Sequence, residues 1–253
     1  MVTNNLKKIF AEGKAALGTF TVCNAPELVE ILGITGFDFV VIDAEHGPLG
    51  PESALSLIRA AELRGITPIV RIPSSMESTI LHMLDIGAHG IQVPQVNDPD
   101  TAKAIVHRSM YHPTGRRGVA FARANDYGKM DMEEYFKYEN SQVMIVAHCE
   151  NTIGLENIDA ICQIPEIDVI FLGPYDMSQS MGIPGQVTHP RIQEAAKKVI
   201  ETTKKYGKVA GIYAGSGEIA KERAAQGFQY ITVGMDTILF AAQCKKEVEA
   251  FKS

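Results

Sequence analysis

The sequence predicts a (β/α)8 TIM barrel running over residues 1–253 as one domain. Three observations carry this expectation. Short apolar, β-branched runs alternate with amphipathic stretches of helical length, eight of each. Pro51 and Pro99 stand near helix starts, and Gly65, Gly87, Gly207 and Gly227 follow helix ends. No linker divides the chain, whose 253 residues suit a single barrel of this kind. An open doubly wound sheet is the other reading, but its glycine-rich dinucleotide fingerprint is absent.

Taken in order, strands are expected at 16–22, 37–42, 67–71, 90–93, 143–148, 168–172, 209–212 and 230–234. Helices are expected at 26–34, 51–64, 76–86, 99–109, 151–163, 190–206, 216–226 and 236–250. One connection is long: residues 111–142 mix Arg116, Arg117 and Arg123 with several aromatics, which suits a packed lid or a subunit contact.

Apolar residues make up 45% of the chain, enough for a sizeable core, and the net charge of −6 offers no general attraction to nucleic acid or anionic membranes. No segment approaches the length of a membrane span and the N-terminus carries no signal-like apolar run, so a cytoplasmic location is expected. Cys23, Cys149, Cys162 and Cys244 form no CxxC pair, and three of them sit in apolar surroundings. That is the pattern of buried thiols in a reducing compartment.

Chemistry in such a barrel is expected where strands end at the C-terminal face. Asp43, His46, Arg71, His148, Glu150 and Asp176 all fall at or just past strand ends. Strand periodicity puts His148 and Glu150 on one face, with Cys149 on the other. Each of Glu150 and Asp176 also reads as a helix N-cap or first-turn acid, since Asn151-Thr152 and Ser178 follow. Together on adjacent strands, they read as ligands of an oxygen-coordinated Mg²⁺ or Mn²⁺. Gly173-Pro174-Tyr175-Asp176 forms a turn whose backbone N–H groups suit an anionic ligand.

Arg71 supplies local positive charge; it suits an enolate oxygen but not a base, and its structural alternative is an ion pair with Glu45 or Glu150. Asp43 lies three residues from His46, close enough to orient the imidazole as a general acid/base. His82, His89, His107, His112 and His189 read as helix or surface-loop residues without a role. A Schiff-base mechanism needs an inward lysine, and the nearest, Lys208, precedes its strand at the wrong end. Tyr213 stands on the same rim, at the end of strand seven.

GFDFVVIDAEHGP (36–48), PIVRIP (68–73), MLDIGAHG (83–90), YHPTGRRGV (111–119), the Glu150 strand end and IFLGPYDMS (170–178) together carry a family resemblance. The chain resembles the HpcH/HpaI aldolase/citrate lyase family over nearly its whole length, most closely the class II, metal-dependent 2-oxo-acid aldolase branch. The resemblance implies reversible cleavage of a 4-hydroxy-2-oxo acid to pyruvate, or a close relative, and an aldehyde, as in aromatic or sugar-acid catabolism. It implies a homohexamer with the C-terminal helix exchanged between subunits. By the same resemblance Glu150 and Asp176 bind Mg²⁺, Mn²⁺ or Co²⁺, and Arg71 holds the 2-oxo acid and its enolate. His46 with Asp43 handles the proton, Asp85 approaches from a neighbouring subunit, and Gly173 and Tyr175, flanking Pro174, offer backbone N–H groups to the carboxylate.

Two positions depart from the family pattern: His148, where glutamine is usual, and Tyr175, where a small residue is usual. A histidine there borders the substrate and adds a softer ligand, favouring Mn²⁺, Co²⁺ or Zn²⁺, or a titrating group. A tyrosine narrows the pocket, adds a hydroxyl donor, or turns out into the long connection. Three rival activities follow from the same residues. One is decarboxylation of an oxaloacetate-type diacid, and another is a non-catalytic barrel binding metal and an organic acid. The third is a phosphosugar enzyme using the glycines around 214–217 and Gly234.

Overall fold

The computed structural model describes residues 3–253. Its strands are β1 (Ala16–Thr21), β2 (Phe39–Asp43), β3 (Thr67–Arg71), β4 (Gly90–Val93), β5 (Met144–Cys149), β6 (Val169–Leu172), β7 (Val209–Ala214) and β8 (Tyr230–Met235). All pair in parallel in chain order, and β8 returns to β1 to close a barrel. The expected TIM barrel is present, with strand ends shifted by two residues or fewer from the pattern read in the sequence.

Side chains alternate between two cores because strand residues point alternately in and out. Phe39, Val41, Ile69, Met144, Val146, Val169, Phe171 and Tyr230 fill the barrel interior. Val40, Ile42, Val70, Ile91, Ile145, Ile170 and Ile212 face the surrounding helices. Those helices are α2 (Pro26–Thr35), α3 (Pro51–Leu63), α4 (Glu77–Asp85), α5 (Pro99–Ser109), α7 (Thr152–Glu156), α8 (Ile158–Cys162), α10 (Pro190–Lys205) and α11 (Gly217–Gln226). The single helix expected over 151–163 is two short ones that meet at Asn157, whose amide donates to the Asn97 carbonyl at 2.8 Å.

Three helices were not foreseen. The first, α1 (Asn5–Ala11), is too short and too charged to show a helical period, yet its Leu6, Ile9 and Phe10 close the N-terminal end of the barrel. Burying Leu6 fully stabilises the fold by about 2 kcal/mol. Lys7 fastens the same helix to Asp168 at 3.2 Å. The second, α6 (Met132–Gln142), lies in the long connection after a 3-10 stretch at Arg123–Gly128. The third, α9 (Pro174–Ser180), follows β6 where a turn was expected, and the alternative reading of Asp176 as a first-turn acid holds.

The long connection is packed, but it is no lid. It joins the end of α5 to the start of β5, so both of its ends lie at the N-terminal face, away from the barrel mouth. Arg117 is buried within it, 2.8 Å from Asp85 and 3.0 Å from Glu139, with Tyr111 beneath its guanidinium. Arg123 bonds Glu62 and the Ile86 carbonyl beside the starts of β3 and β4.

Two of the four cysteines, rather than three, are buried: Cys149 and Cys162. Burial pushes both thiols up to about 12. His89 is also buried rather than on the surface, with Nε2 3.3 Å from Glu62. The last helix, α12 (Asp236–Lys252), extends from β8 with Phe240 and Phe251 exposed, and only Asp236 of its residues is buried. Among the described residues no helix is long and apolar enough to cross a membrane.

Candidate active site

Inward alternation along β2 and β3 brings Asp43 and Arg71 into register as direct neighbours, and Gln92 on β4 is the next partner of Arg71. Arg71 places Nε 2.9 Å from Asp43 Oδ1 and Nη2 2.5 Å from Oδ2, a two-pronged ion pair. Its third nitrogen is 3.4 Å from Glu45, and its guanidinium lies 4.7 Å above the Phe20 ring. Of the alternatives foreseen for this arginine, the Glu45 pair is present, and Asp43 is the closer partner. Burial pushes the Asp43 carboxyl upward, but Arg71 and the backbone N–H groups of His46 and Glu45 outweigh it and hold it below its ordinary value. Glu45 behaves oppositely: burial exceeds the attraction of Arg71 and raises it.

Asp43 therefore does not orient the His46 imidazole. Its Oδ1 accepts from the backbone N–H of Glu45 and of His46, each at 3.1 Å, and its remaining capacity goes to Arg71. The carboxylate shapes the loop that carries His46, whose side chain is exposed.

Glu150 is buried just past β5. Its Oε1 accepts from the Gln95 backbone N–H at 2.7 Å, and Gln95 takes a left-handed φ of 55° where that donor is presented. Its Oε2 accepts from His148 Nδ1, also at 2.7 Å. Burial opposes ionisation of Glu150, but His148, Gln95 and Arg71 lower its pKa on balance. Asp176 stands exposed in the first turn of α9. A Cβ added to Gly173 would sit 3.5 Å from both Asp176 Oδ2 and Glu150 Oε2, so the glycine keeps open a cradle between the two carboxylates.

That pair of hard oxygen donors fits a divalent cation completed by substrate and water. No group of three or more His, Cys, Asp or Glu side chains is arranged for a metal among the described residues. His148 adds no ligand, because both of its ring nitrogens are engaged. Tyr230 donates its hydroxyl to Gln92 Oε1 at 2.8 Å, and the Gln92 amide faces His148 Nε2 at 2.7 Å. The amide can only donate there, which makes Nε2 the acceptor and leaves the ring proton on Nδ1, facing Glu150. The ring of His148 also stacks on Phe171 with centroids 4.9 Å apart.

A cavity of about 290 Å³ opens over these groups, lined by Phe20, Arg71, His148, Gly173, Asp176 and Tyr213 among others. Tyr175 lines it too: its ring packs edge-on against Tyr213 at 5.9 Å instead of turning toward the long connection. No side chain caps α9, which begins at Pro174, so its first-turn N–H groups are left for solvent or a ligand. Asp85 is not brought to this cavity within the chain; it ends α4, paired with Arg117.

The sequence reading gives Gln92, Tyr230 and Phe20 no place in the site, and takes Gln95 and Asp236 only as strand-end residues without a role. Gln92 carried a usable signal, as an inward polar residue within the apolar strand Gly90–Val93. Tyr230 and Phe20 looked like ordinary core aromatics. Asp236 accepts from Thr21 Oγ1 and the backbone N–H groups of Val22 and Cys23, tying the loop after β1 to the end of β8. Gly234 adopts a φ of 59°, which explains it without any phosphate.

The sequence profile of the HpcH/HpaI aldolase/citrate lyase family matches residues 16–242. The chain is 33% identical to 4-hydroxy-2-oxovalerate aldolase of Rhodococcus jostii (strain RHA1), over 95% of this chain and 93% of that protein. It is 32% identical to 5-keto-4-deoxy-D-glucarate aldolase of Salmonella arizonae, over 98% of this chain and 97% of the relative. Among solved structures, an HpcH/HpaI aldolase from Desulfitobacterium hafniense DCB-2 superposes with a TM-score of 0.95 at 28% identity, covering 100% of this chain and 98% of that one. A barrel with paired carboxylates beside an inward arginine, matched by profile along most of its length, belongs to the HpcH/HpaI aldolase/citrate lyase family.

Proposed function

We propose that the chain is a class II aldolase, cleaving a 4-hydroxy-2-oxo acid to pyruvate or a related 2-oxo acid and an aldehyde. The observation that carries this is the approach of Glu150 and Asp176 to one point over Gly173, which with Asp176 lines the same cavity as Arg71. The aldolase activities of the relatives support the reaction class.

A divalent cation bound there (Mg²⁺, Mn²⁺ or Co²⁺) supplies Lewis acidity toward the substrate carbonyl. Glu150 and Asp176 hold it, and His148 fixes the direction of Glu150 Oε2. Arg71 stabilises the negative charge that develops on the 2-oxo oxygen as the C3–C4 bond breaks, and Asp43 and Glu45 hold its guanidinium in place. The backbone N–H groups of Gly173 and Tyr175 receive the substrate carboxylate, with Pro174 between them setting the turn. His46 removes the C4 hydroxyl proton from its exposed loop, directly or through water, and Asp43 acts on it through the backbone. In the oligomer, Asp85 of a neighbouring subunit completes this proton-handling group. Tyr213 borders the aldehyde portion.

The assembly proposed is a homohexamer with α12 exchanged between subunits, which gives a use to Ile238, Phe240 and Phe251, all exposed on that helix. The partners are otherwise small molecules, a 2-oxo acid and an aldehyde.

The test is a retro-aldol screen across 4-hydroxy-2-oxo acids with pyruvate release as the readout. Pyruvate and aldehyde in equal amounts, lost on chelation and in Glu150→Ala, are expected. Release of CO₂ from oxaloacetate with no aldehyde formed from any hydroxy acid would replace this reading with decarboxylation.

A further inference from the structure

One wall of the cavity is aromatic. Phe20 lies against Arg71, Tyr213 is 6.4 Å from Phe20 between ring centres, and Tyr175 meets Tyr213 at 5.9 Å. Outward from Arg71 the order is thus Phe20, Tyr213, Tyr175, running from a ring 4% exposed to one 54% exposed. Met235 borders the same space. Burial, with Tyr175 adding to it, raises the Tyr213 phenol above its ordinary value, as a low-polarity wall would.

Charge lies elsewhere in the cavity, and it is mostly negative. Arg71 is the one Lys or Arg among the residues that line it, and Asp43 and Glu45 already pair with that guanidinium. Asp176 adds a further carboxylate at the rim and Glu150 another beneath. The divalent cation proposed above offsets Asp176 and Glu150, but a ligand whose distal end carried its own carboxylate would find no second Lys or Arg among the described lining residues to receive it.

We propose that the aldehyde handled here is uncharged and apolar, its alkyl or aryl tail resting on Phe20, Tyr213, Tyr175 and Met235. The matching cleavage substrate is a 4-hydroxy-2-oxo acid with a single carboxylate. This rests on the aldolase reading above. In the addition direction the pyruvate methyl loses a proton and its carbon bonds to the aldehyde carbon. The aldehyde C=O pair becomes a hydroxyl by taking up a proton, so the sum is an addition with no oxidant, reductant or leaving group.

Two matched pairs of aldehydes test it with the full-length protein, Mn²⁺ and pyruvate in D₂O. Butanal and 4-oxobutanoate differ in a terminal methyl against a carboxylate; propanal and glyceraldehyde differ in hydroxylation. The expected result is kcat/KM higher by about tenfold or more for butanal and for propanal in their pairs. Tyr213→Arg, which adds a cation to the wall, is expected to move the butanal to 4-oxobutanoate ratio at least about tenfold toward the acid. Pyruvate methyl exchange, followed in the same samples, separates the two levels of the argument. Exchange with no preference for the apolar partner, or with an unmoved ratio in a folded Tyr213→Arg protein, overturns the substrate class and leaves the aldolase reading standing. Absence of both exchange and addition removes that reading and this inference with it.

Discussion

His148 Nδ1 donates to Glu150 Oε2 across 2.7 Å, in a part of the barrel where both residues are buried. The contact joins the interior chain of Tyr230 and Gln92 to the carboxylate that faces the open cradle at Gly173. Removing a hydrogen-bond partner of a ligating carboxylate typically costs about 10–100-fold in metal affinity. His148→Ala is therefore expected to weaken Mn²⁺ binding by about that factor, measured by calorimetry, with an unchanged far-UV spectrum. Wild-type affinity in the variant would remove His148 from the account.

Arg71 makes a different kind of demand, because its planar fork matches Asp43 at two atoms. Lysine has the charge but not the fork. Arg71→Lys is expected to lower kcat/KM for retro-aldol cleavage by about 100-fold or more. Asp43→Ala leaves a buried guanidinium short of its main partner, and is expected to destabilise the fold by about 3–5 kcal/mol in urea unfolding. Near-normal turnover in Arg71→Lys would exclude the arginine from transition-state stabilisation.

The shifted carboxylates give a pH dependence whose sign is determined. Asp43 and Glu150 both titrate lower in the folded chain than their ordinary values. Between the folded and unfolded values the unfolded chain binds more protons, so stability rises with pH there. Their contribution is complete above about pH 4–4.5 and is lost as pH falls below it. Thermal unfolding is expected to show this loss below about pH 4, with a shallower acid limb in Asp43→Asn. An identical acid limb in the variant would show that Asp43 is not responsible.

The exposed apolar residues of α12 predict a partner for that helix. Deleting residues 240–253 is expected to reduce the mass in light scattering from a hexamer to smaller species. A truncated protein of unchanged mass would contradict exchange of this helix.

Much of the fold was legible because its signals were local and repeated. Strand ends placed Asp43, Arg71 and His148 at one rim, and period two put His148 on the face of Glu150; the contacts of all four follow from that. What escaped depends on three-dimensional closure. The seven residues of α1 become recognisable as structure only when the barrel end they fill exists. The connection at 111–142 looked like a lid because sequence length does not say which face of the barrel a loop leaves from. Asp43 and His46 looked like a side-chain dyad on spacing alone, but the register of β2 with β3 commits the carboxylate to Arg71. Gln92 and Tyr230 needed the barrel's cross-section to meet His148.

The central claim is that Glu150 and Asp176, with Arg71, make a site that generates a pyruvate enolate. Deuterium incorporation into the pyruvate methyl group, followed by proton NMR without any aldehyde, tests it most directly. The account predicts exchange that requires Mg²⁺, Mn²⁺ or Co²⁺ and disappears in Glu150→Ala. Exchange at the same rate after chelation, or none with any of these cations, would contradict it.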